Sequence, residues 1–130
     1  MSESKLENKV AIVTGGASGL GAGICQEFSR QGAQIVIADV NPAGADLICA
    51  EITKNGGSAM AVETDVTDPA SVTAAVEQVL NHYQTIDILI NCAGWNQLKP
   101  GEEYTTEDWE AIRALKLDGP WHMSQAVLPT

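Results

Sequence analysis

Four short runs of apolar and β-branched residues, Val10–Val13, Gln34–Ala38, Ala59–Glu63 and Ile86–Ile90, recur along the chain with helical patterning between them. That alternation constrains the fold more than any other feature. Runs that stay apolar on consecutive residues, with no polar face, belong to strands covered on both sides. Between the third and fourth runs, Val72, Val76, Val79, Leu80 and Tyr83 draw one apolar stripe at helical spacing. Asp68-Pro69 opens that helix with a capping carboxylate and a proline at its first position. Asn41-Pro42 repeats the device ahead of Leu47, Ile48 and Ile52. Leu20, Ile24 and Phe28 give the helix after the first run its stripe, and Gly32 stands where the C-terminal cap falls.

The chemistry concentrates at the first strand-to-helix turn, TGGASGLG from Thr14 to Gly21, with four glycines in eight positions. A helix N-terminus there presents unpaired N–H groups and the positive end of its dipole, which attract a phosphate. Glycine at Gly15, Gly19 and Gly21 lets the chain turn tightly, lets a pyrophosphate reach the backbone beside Ser18 and Leu20, and lets helix pack on strand. Asp39, at the end of the second run, can accept hydrogen bonds from ribose hydroxyls and repels a 2′-phosphate. No basic side chain lies between Thr14 and Gly21 to offset that repulsion, so NAD is the expected cofactor rather than NADP. A ligand-free glycine turn and a solvated strand end are the plainer readings. The strand before the loop and the helix after it favour the nucleotide. The expected fold is α/β, a Rossmann-like doubly wound parallel sheet in a three-layer α/β/α arrangement, with strand order 3-2-1-4.

Charge and composition narrow the partners. Seventeen acidic against seven basic side chains leave a net charge of −10, which disfavours nucleic acid and anionic membrane surfaces. The start, MSESKLENK, is polar, and no apolar run approaches membrane-spanning length, so a cytoplasmic location is expected. Cys25, Cys49 and Cys92 form no CxxC pair and read as buried thiols, neither disulfide nor zinc site. His82 and His122 have no carboxylate or cysteine at metal-ligand spacing, so both are expected in structural or surface roles and no metal is expected. Glu102-Glu103 and Glu107-Asp108 read as a loop and a helix start, where the dipole favours negative charge. At 130 residues, one domain spanning 1-130 is expected.

Four motifs in order give the sequence a family likeness. TGGASGLG, Asp39, Asp65-Val66 and Asn91-Cys92-Ala93-Gly94 resemble the short-chain dehydrogenase/reductases, over about residues 7 to 129. The resemblance implies that Asp65 holds the adenine amine with Val66 as its apolar neighbour. It implies also that Asn91, Ala93 and Gly94 hold the central sheet and line the nicotinamide ribose, with Cys92 replacing the family's second asparagine. By the same resemblance the activity is NAD-dependent hydride transfer between a secondary alcohol and a ketone, on a small-molecule substrate, in a homo-oligomer. Trp95, next to the fourth motif, falls where the family lines its substrate pocket.

Two departures qualify that expectation. The family's catalytic set is an asparagine, a serine, and a tyrosine with a lysine four residues on. Tyr83 and Tyr104 are followed at that distance by Asp87 and Asp108, so neither matches, and the chain reads as a truncated N-terminal part. The family's asparagine position, in a locally broken helix, holds Lys116. Trp109, Ile112 and Lys116 share one helix face. An ammonium buried there would cost several kcal/mol unless paired, and would replace a water in the family's proton relay or end that relay. The alternative is a lysine snorkelling to the surface. A non-catalytic nucleotide-binding or subunit-interaction protein is the competing function. A methyltransferase is a third reading, which Asn91-Cys92-Ala93-Gly94 argues against. With the fourth strand at an edge and Trp109 and Trp121 on neighbouring helices, self-association is expected.

Overall fold

The computed structural model describes residues 4–94 and 98–130; Trp95, expected near a substrate pocket, lies outside the described residues. Strands and helices alternate as β1 (Val10–Thr14), α1 (Gly19–Arg30), β2 (Gln34–Asp39), α2 (Pro42–Lys54), β3 (Ser58–Glu63), α3 (Pro69–Tyr83) and β4 (Ile88–Asn91). The strands are all parallel, in the order β3-β2-β1-β4. The expected three-layer, Rossmann-like sheet is therefore present.

Successive side chains along a strand point to opposite faces, and here each face has its own core. Val10, Ile12, Val36, Ala38 and Val62 pack with Val72, Val76 and Val79 of α3 and with Met123. Ala11, Val13, Ile35 and Ile37 pack on the other side with Cys25 of α1 and with Ala45 and Ile52 of α2. This is why the runs are apolar without alternation. Asn41 and Asp68 cap α2 and α3 by accepting from the backbone N–H groups of Gly44 and Ala70, each at 3.1 Å. Gly32, at φ +94°, follows the end of α1 in the left-handed region that glycine tolerates.

Three expectations need correction. The fourth strand starts at Ile88 and not at Ile86. Asp87 clips onto Val10 instead, its backbone N–H donating to the Val10 carbonyl and its carboxylate accepting from the Val10 N–H, both at 2.9 Å. The stripe of α1 does not include Leu20, which is 75% exposed; Gly21, Ala22 and Cys25 face the sheet, with Ile24 and Phe28 half-buried. Leu47 likewise points outward while Ile52 is buried. In both helices small residues allow close packing on the sheet, and the larger residue lies away from it.

After a 3-10 turn (Gly101–Glu103) come α4 (Thr106–Arg113), a π-helical segment (Ala114–Asp118) and α5 (Gly119–Val127). The backbone stays helical through both junctions, so α4 and α5 form one helix with a widened centre. Pro120 supplies the cause. It has no N–H to give the Lys116 carbonyl four residues back, and its ring would crowd that carbonyl in a regular turn. The Gly119 N–H bonds instead to the Ala114 carbonyl, five residues back. At the other end Thr105 and Asp108 make a reciprocal capping box, and Glu107 and Asp108 occupy the first turn as expected.

Candidate functional site

A cleft of about 430 Å³ opens at the C-terminal ends of the strands, where chain order reverses on either side of β1. Its floor is the glycine loop. Gly15 is at φ +68°, and a Cβ built on it would meet Ala93 Cα at 2.7 Å, so the loop lies directly against the turn after β4. A Cβ on Gly21 would run into the Gly15 carbonyl. Gly19 differs from both: nothing lies within 4 Å of the position its Cβ would take. The space above Gly19 is open cleft.

Thr14 holds the two halves of this floor together. Its buried hydroxyl accepts from the backbone N–H groups of Cys92, at 2.9 Å, and Ala93, at 3.0 Å. Cys92 therefore preserves the turn through its backbone. Cys92 is half-buried and lines the cleft, and Cys49 of α2 is half-buried away from it; of the expected buried thiols only Cys25 is fully enclosed. Burial above all pushes the Cys25 thiol up to about 12, with Cys49 and Cys92 adding to the effect. The three thiols are free, and among the described residues no group of histidine, cysteine and carboxylate side chains could hold a metal.

The cleft's phosphate end is the start of α1. Ser18 occupies the cap position with an extended backbone, yet its side chain makes no capping hydrogen bond. Side-chain oxygens cap α2, α3 and α4. The N–H groups at the start of α1 thus face the cleft without a side-chain acceptor. Ser18, Gly19, Leu20 and Gly21 all line it, and the exposed Leu20 finds its place as part of that wall.

Asp39 stands at the edge of the loop. Its carboxylate accepts from the backbone N–H of Ala17 at 3.1 Å and from that of Asn41 at 2.9 Å. Val40, Thr64 and Val66 continue the wall on this side. Asp65, between the last two, is exposed, and its carboxylate accepts from the Thr67 N–H at 2.9 Å and hydroxyl at 2.6 Å. Val66 is fixed from behind, its carbonyl lying 3.1 Å from His122 Nδ1. His82 is exposed and meets the Tyr83 ring edge-on at 4.5 Å.

Ala93 and Gly94 line the far end, and Asn91 ends β4 opposite Thr14. Lys116, in the π segment, is exposed, so the cost of a buried ammonium does not arise. Its stem runs past Gly94, with Cε 3.5 Å from where a Gly94 Cβ would sit. Trp109, on the same predicted face, is 64% exposed, and Ile112 is half-buried. Sequence reasoning missed Thr14, Val40, Thr64 and Leu115. Thr14 carried a signal, as the single hydroxyl between an apolar run and a glycine pair.

The family model described as short chain dehydrogenase matches residues 9–130. The chain belongs to the short-chain dehydrogenase family. It is 42% identical over 123 residues to the D-threitol dehydrogenase of Mycolicibacterium smegmatis and 41% identical over 123 residues to the galactitol 2-dehydrogenase of Agrobacterium fabrum. Each match covers 95% of this chain and 47% of the relative, so the chain spans about half the length of these relatives. The solved structure of a 3-ketoacyl-(acyl-carrier-protein) reductase from Brucella melitensis, complexed with NADH, superposes with a TM-score of 0.88 at 35% identity. That match covers 96% of this chain and 50% of the reductase. The family uses nicotinamide dinucleotides on small molecules. Among the described residues no helix is long and apolar enough to cross a membrane.

Proposed function

We propose that residues 1–130 form the NAD-binding half of an oxidoreductase that moves hydride between a secondary alcohol and a ketone. The observation that carries this reading is the start of α1, which lacks a side-chain cap and opens onto the cleft beside Asp39. A pyrophosphate fits there because the free N–H groups need an acceptor and Gly19 leaves its space empty. The Asp39 carboxylate would take the hydroxyls of the first ribose, and its charge would oppose a 2′-phosphate. Leu20, Val40 and Val66 supply apolar surface for the adenine, with Asp65 at its rim. Asn91, Ala93 and Gly94 would bound the second ribose. When bound, NAD supplies the hydride acceptor.

The polyol names of the two relatives point to an acyclic polyol or its keto form as the substrate class. The proton transfer that must accompany hydride movement comes, on this reading, from a group other than Tyr83 and Tyr104. Tyr83 shares a hydrogen bond with Ser58 at 3.2 Å, and neither Tyr83 nor Tyr104 lines the cleft. On this reading Ser18, Gly19, Asp39 and Gly94 bind and orient the nucleotide, and a nucleotide-binding chain without chemistry of its own is the second reading. Titration with NADH, followed by the nucleotide's fluorescence, tests the proposal. Saturable binding that Gly19→Val abolishes is expected; unchanged binding by that variant, or none by the parent, contradicts it.

A further inference from the structure

The helix α5 reaches the cleft through Val66. A Cβ on Gly119, at the start of that helix, would meet Val66 Cγ2 at 2.7 Å and Cβ at 3.1 Å, so the helix backbone lies directly on the valine side chain. One turn on, His122 Nδ1 stands 3.1 Å from the Val66 carbonyl, across 56 residues of sequence. Val66 falls between the end of β3 and the start of α3, and among the described residues no backbone N–H donates to its carbonyl. Pro69 has no N–H, and the Ala70 N–H, four residues on, goes to the Asp68 cap. Val66 is 5% exposed, and a buried carbonyl left without a donor is costly. The imidazole is its donor. A carbonyl only accepts, which places the ring proton on Nδ1 and leaves Nε2 bare in the neutral form. The neighbours of Val66 are tied locally, the Asp65 N–H donating to Ser71 Oγ and the Thr67 N–H to the Asp65 carboxylate, both at 2.9 Å. Val66 takes its anchor from a distant helix instead.

Resting on the nucleotide-binding reading above, we infer that His122 is a positioning residue for the base: its Nδ1–H, donated to the Val66 carbonyl, sets the apolar wall on which the adenine lies. His122 is absent from the lining of the cleft and acts through Val66. It faces a separate cavity of about 130 Å³ between α3 and α5, lined also by Thr73 and Gln125, whose hydroxyl and amide are donors of the kind a bare Nε2 accepts from. The start of α1 and Asp39 serve the pyrophosphate and the first ribose without it. The effect of His122 is therefore confined to the base.

Two measurements on the 130-residue chain test this. The first is the long-range proton–nitrogen spectrum of the imidazoles where the rings are neutral, with the His122 signals assigned by their loss in His122→Asn. A proton on Nδ1 and a bare Nε2 are expected; the opposite tautomer overturns the inference whatever the chain binds. The second is equilibrium binding of ADP and of inorganic pyrophosphate to the parent, His122→Phe and His122→Asn. His122→Phe keeps a flat ring and removes the donor, and should weaken ADP about fivefold, the scale of one net hydrogen bond, while leaving pyrophosphate unchanged. The asparagine amide can place an N–H where Nδ1 stood, so His122→Asn should restore most of the loss. Unchanged ADP affinity in His122→Phe overturns the inference. So does an equal loss for both ligands, or no rescue by asparagine, since either marks a residue that only supports the fold. If the parent binds neither ligand, the nucleotide reading fails and this inference falls with it; if the parent binds both and only the His122 pattern departs, this inference alone fails.

Discussion

The Asp39 carboxylate accepts a hydrogen bond from the Ala17 backbone N–H at 3.1 Å, tying the end of β2 to the middle of the glycine loop. The acid expected to meet the ribose is therefore part of the loop's own scaffold, with Asn41 N–H as its second donor. Asp39→Ala should cost about 1–3 kcal/mol of stability before any nucleotide is added, the scale for hydrogen bonds to a charged group. Denaturant melts of the ligand-free chain check this. An unchanged midpoint would mean that the carboxylate does not hold the loop.

The glycines of the loop should separate by mechanism. Gly21→Ala places a methyl against the Gly15 carbonyl and should destabilise the fold by about 1–3 kcal/mol, as overpacking does. Gly19→Ala meets no neighbour and should cost only about 1 kcal/mol, for a left-handed φ of +57°. Thermal melts of the two variants give the comparison, and equal losses would contradict the assignment of separate roles.

Asp108 gives the helix after the 3-10 turn an acid-sensitive start. Its hydrogen bond to the Lys99 ammonium, with the Thr105 N–H next, lowers its carboxyl from the ordinary 3.8 to about 2. A carboxyl depressed by folding contributes stability that is complete above its unfolded value and is lost as pH falls through the folded one. The start of α4 should therefore loosen as pH drops from about 4 toward 2. Emission from the adjacent Trp109 reports it, provided the other tryptophans are replaced. Asp108→Asn should remove that acid transition, and its persistence in the variant would contradict the linkage.

Most of the fold was legible in the sequence because two-sided burial leaves a distinctive mark. The unbroken apolar runs of β1 and β2 exist only because two helical layers share the sheet, and the Asn41-Pro42 and Asp68-Pro69 caps mark where those layers begin. The helix faces were less legible. Leu20 and Leu47 are apolar but point outward, since it is small residues such as Gly21 and Ala45 that the sheet admits at short range. That the glycine loop and Asp39 belong together was legible, and both line one cleft, while Thr14 was not, because a hydroxyl's partner is set by tertiary contact with Cys92 and Ala93. The widened turn at Lys116 was available from Pro120 itself, which local physics forbids in a regular helix four residues on.

Two exposed features predict assembly. Among the described residues β4 pairs only with β1, which leaves its other edge open. Trp109, Leu117 and Trp121, on α4 through α5, and Leu128 just after α5 are each between 64% and 79% exposed. The chain should self-associate, with a light-scattering mass above the 13.7 kDa of one copy. Trp121→Glu combined with Leu117→Lys should weaken association about tenfold or more, as the loss of an aromatic anchor does. A strictly monomeric parent at high concentration would contradict this.

The central claim is that the glycine loop and Asp39 together form a dinucleotide site selective for an unphosphorylated ribose. The most direct measurement is a side-by-side titration of the unmodified chain with NADH and NADPH at low salt. Two like charges about 4 Å apart at a protein surface repel by roughly 1–4 kcal/mol, so NADH should bind at least about fivefold more tightly. Equal affinities, or a preference for NADPH, would contradict the account.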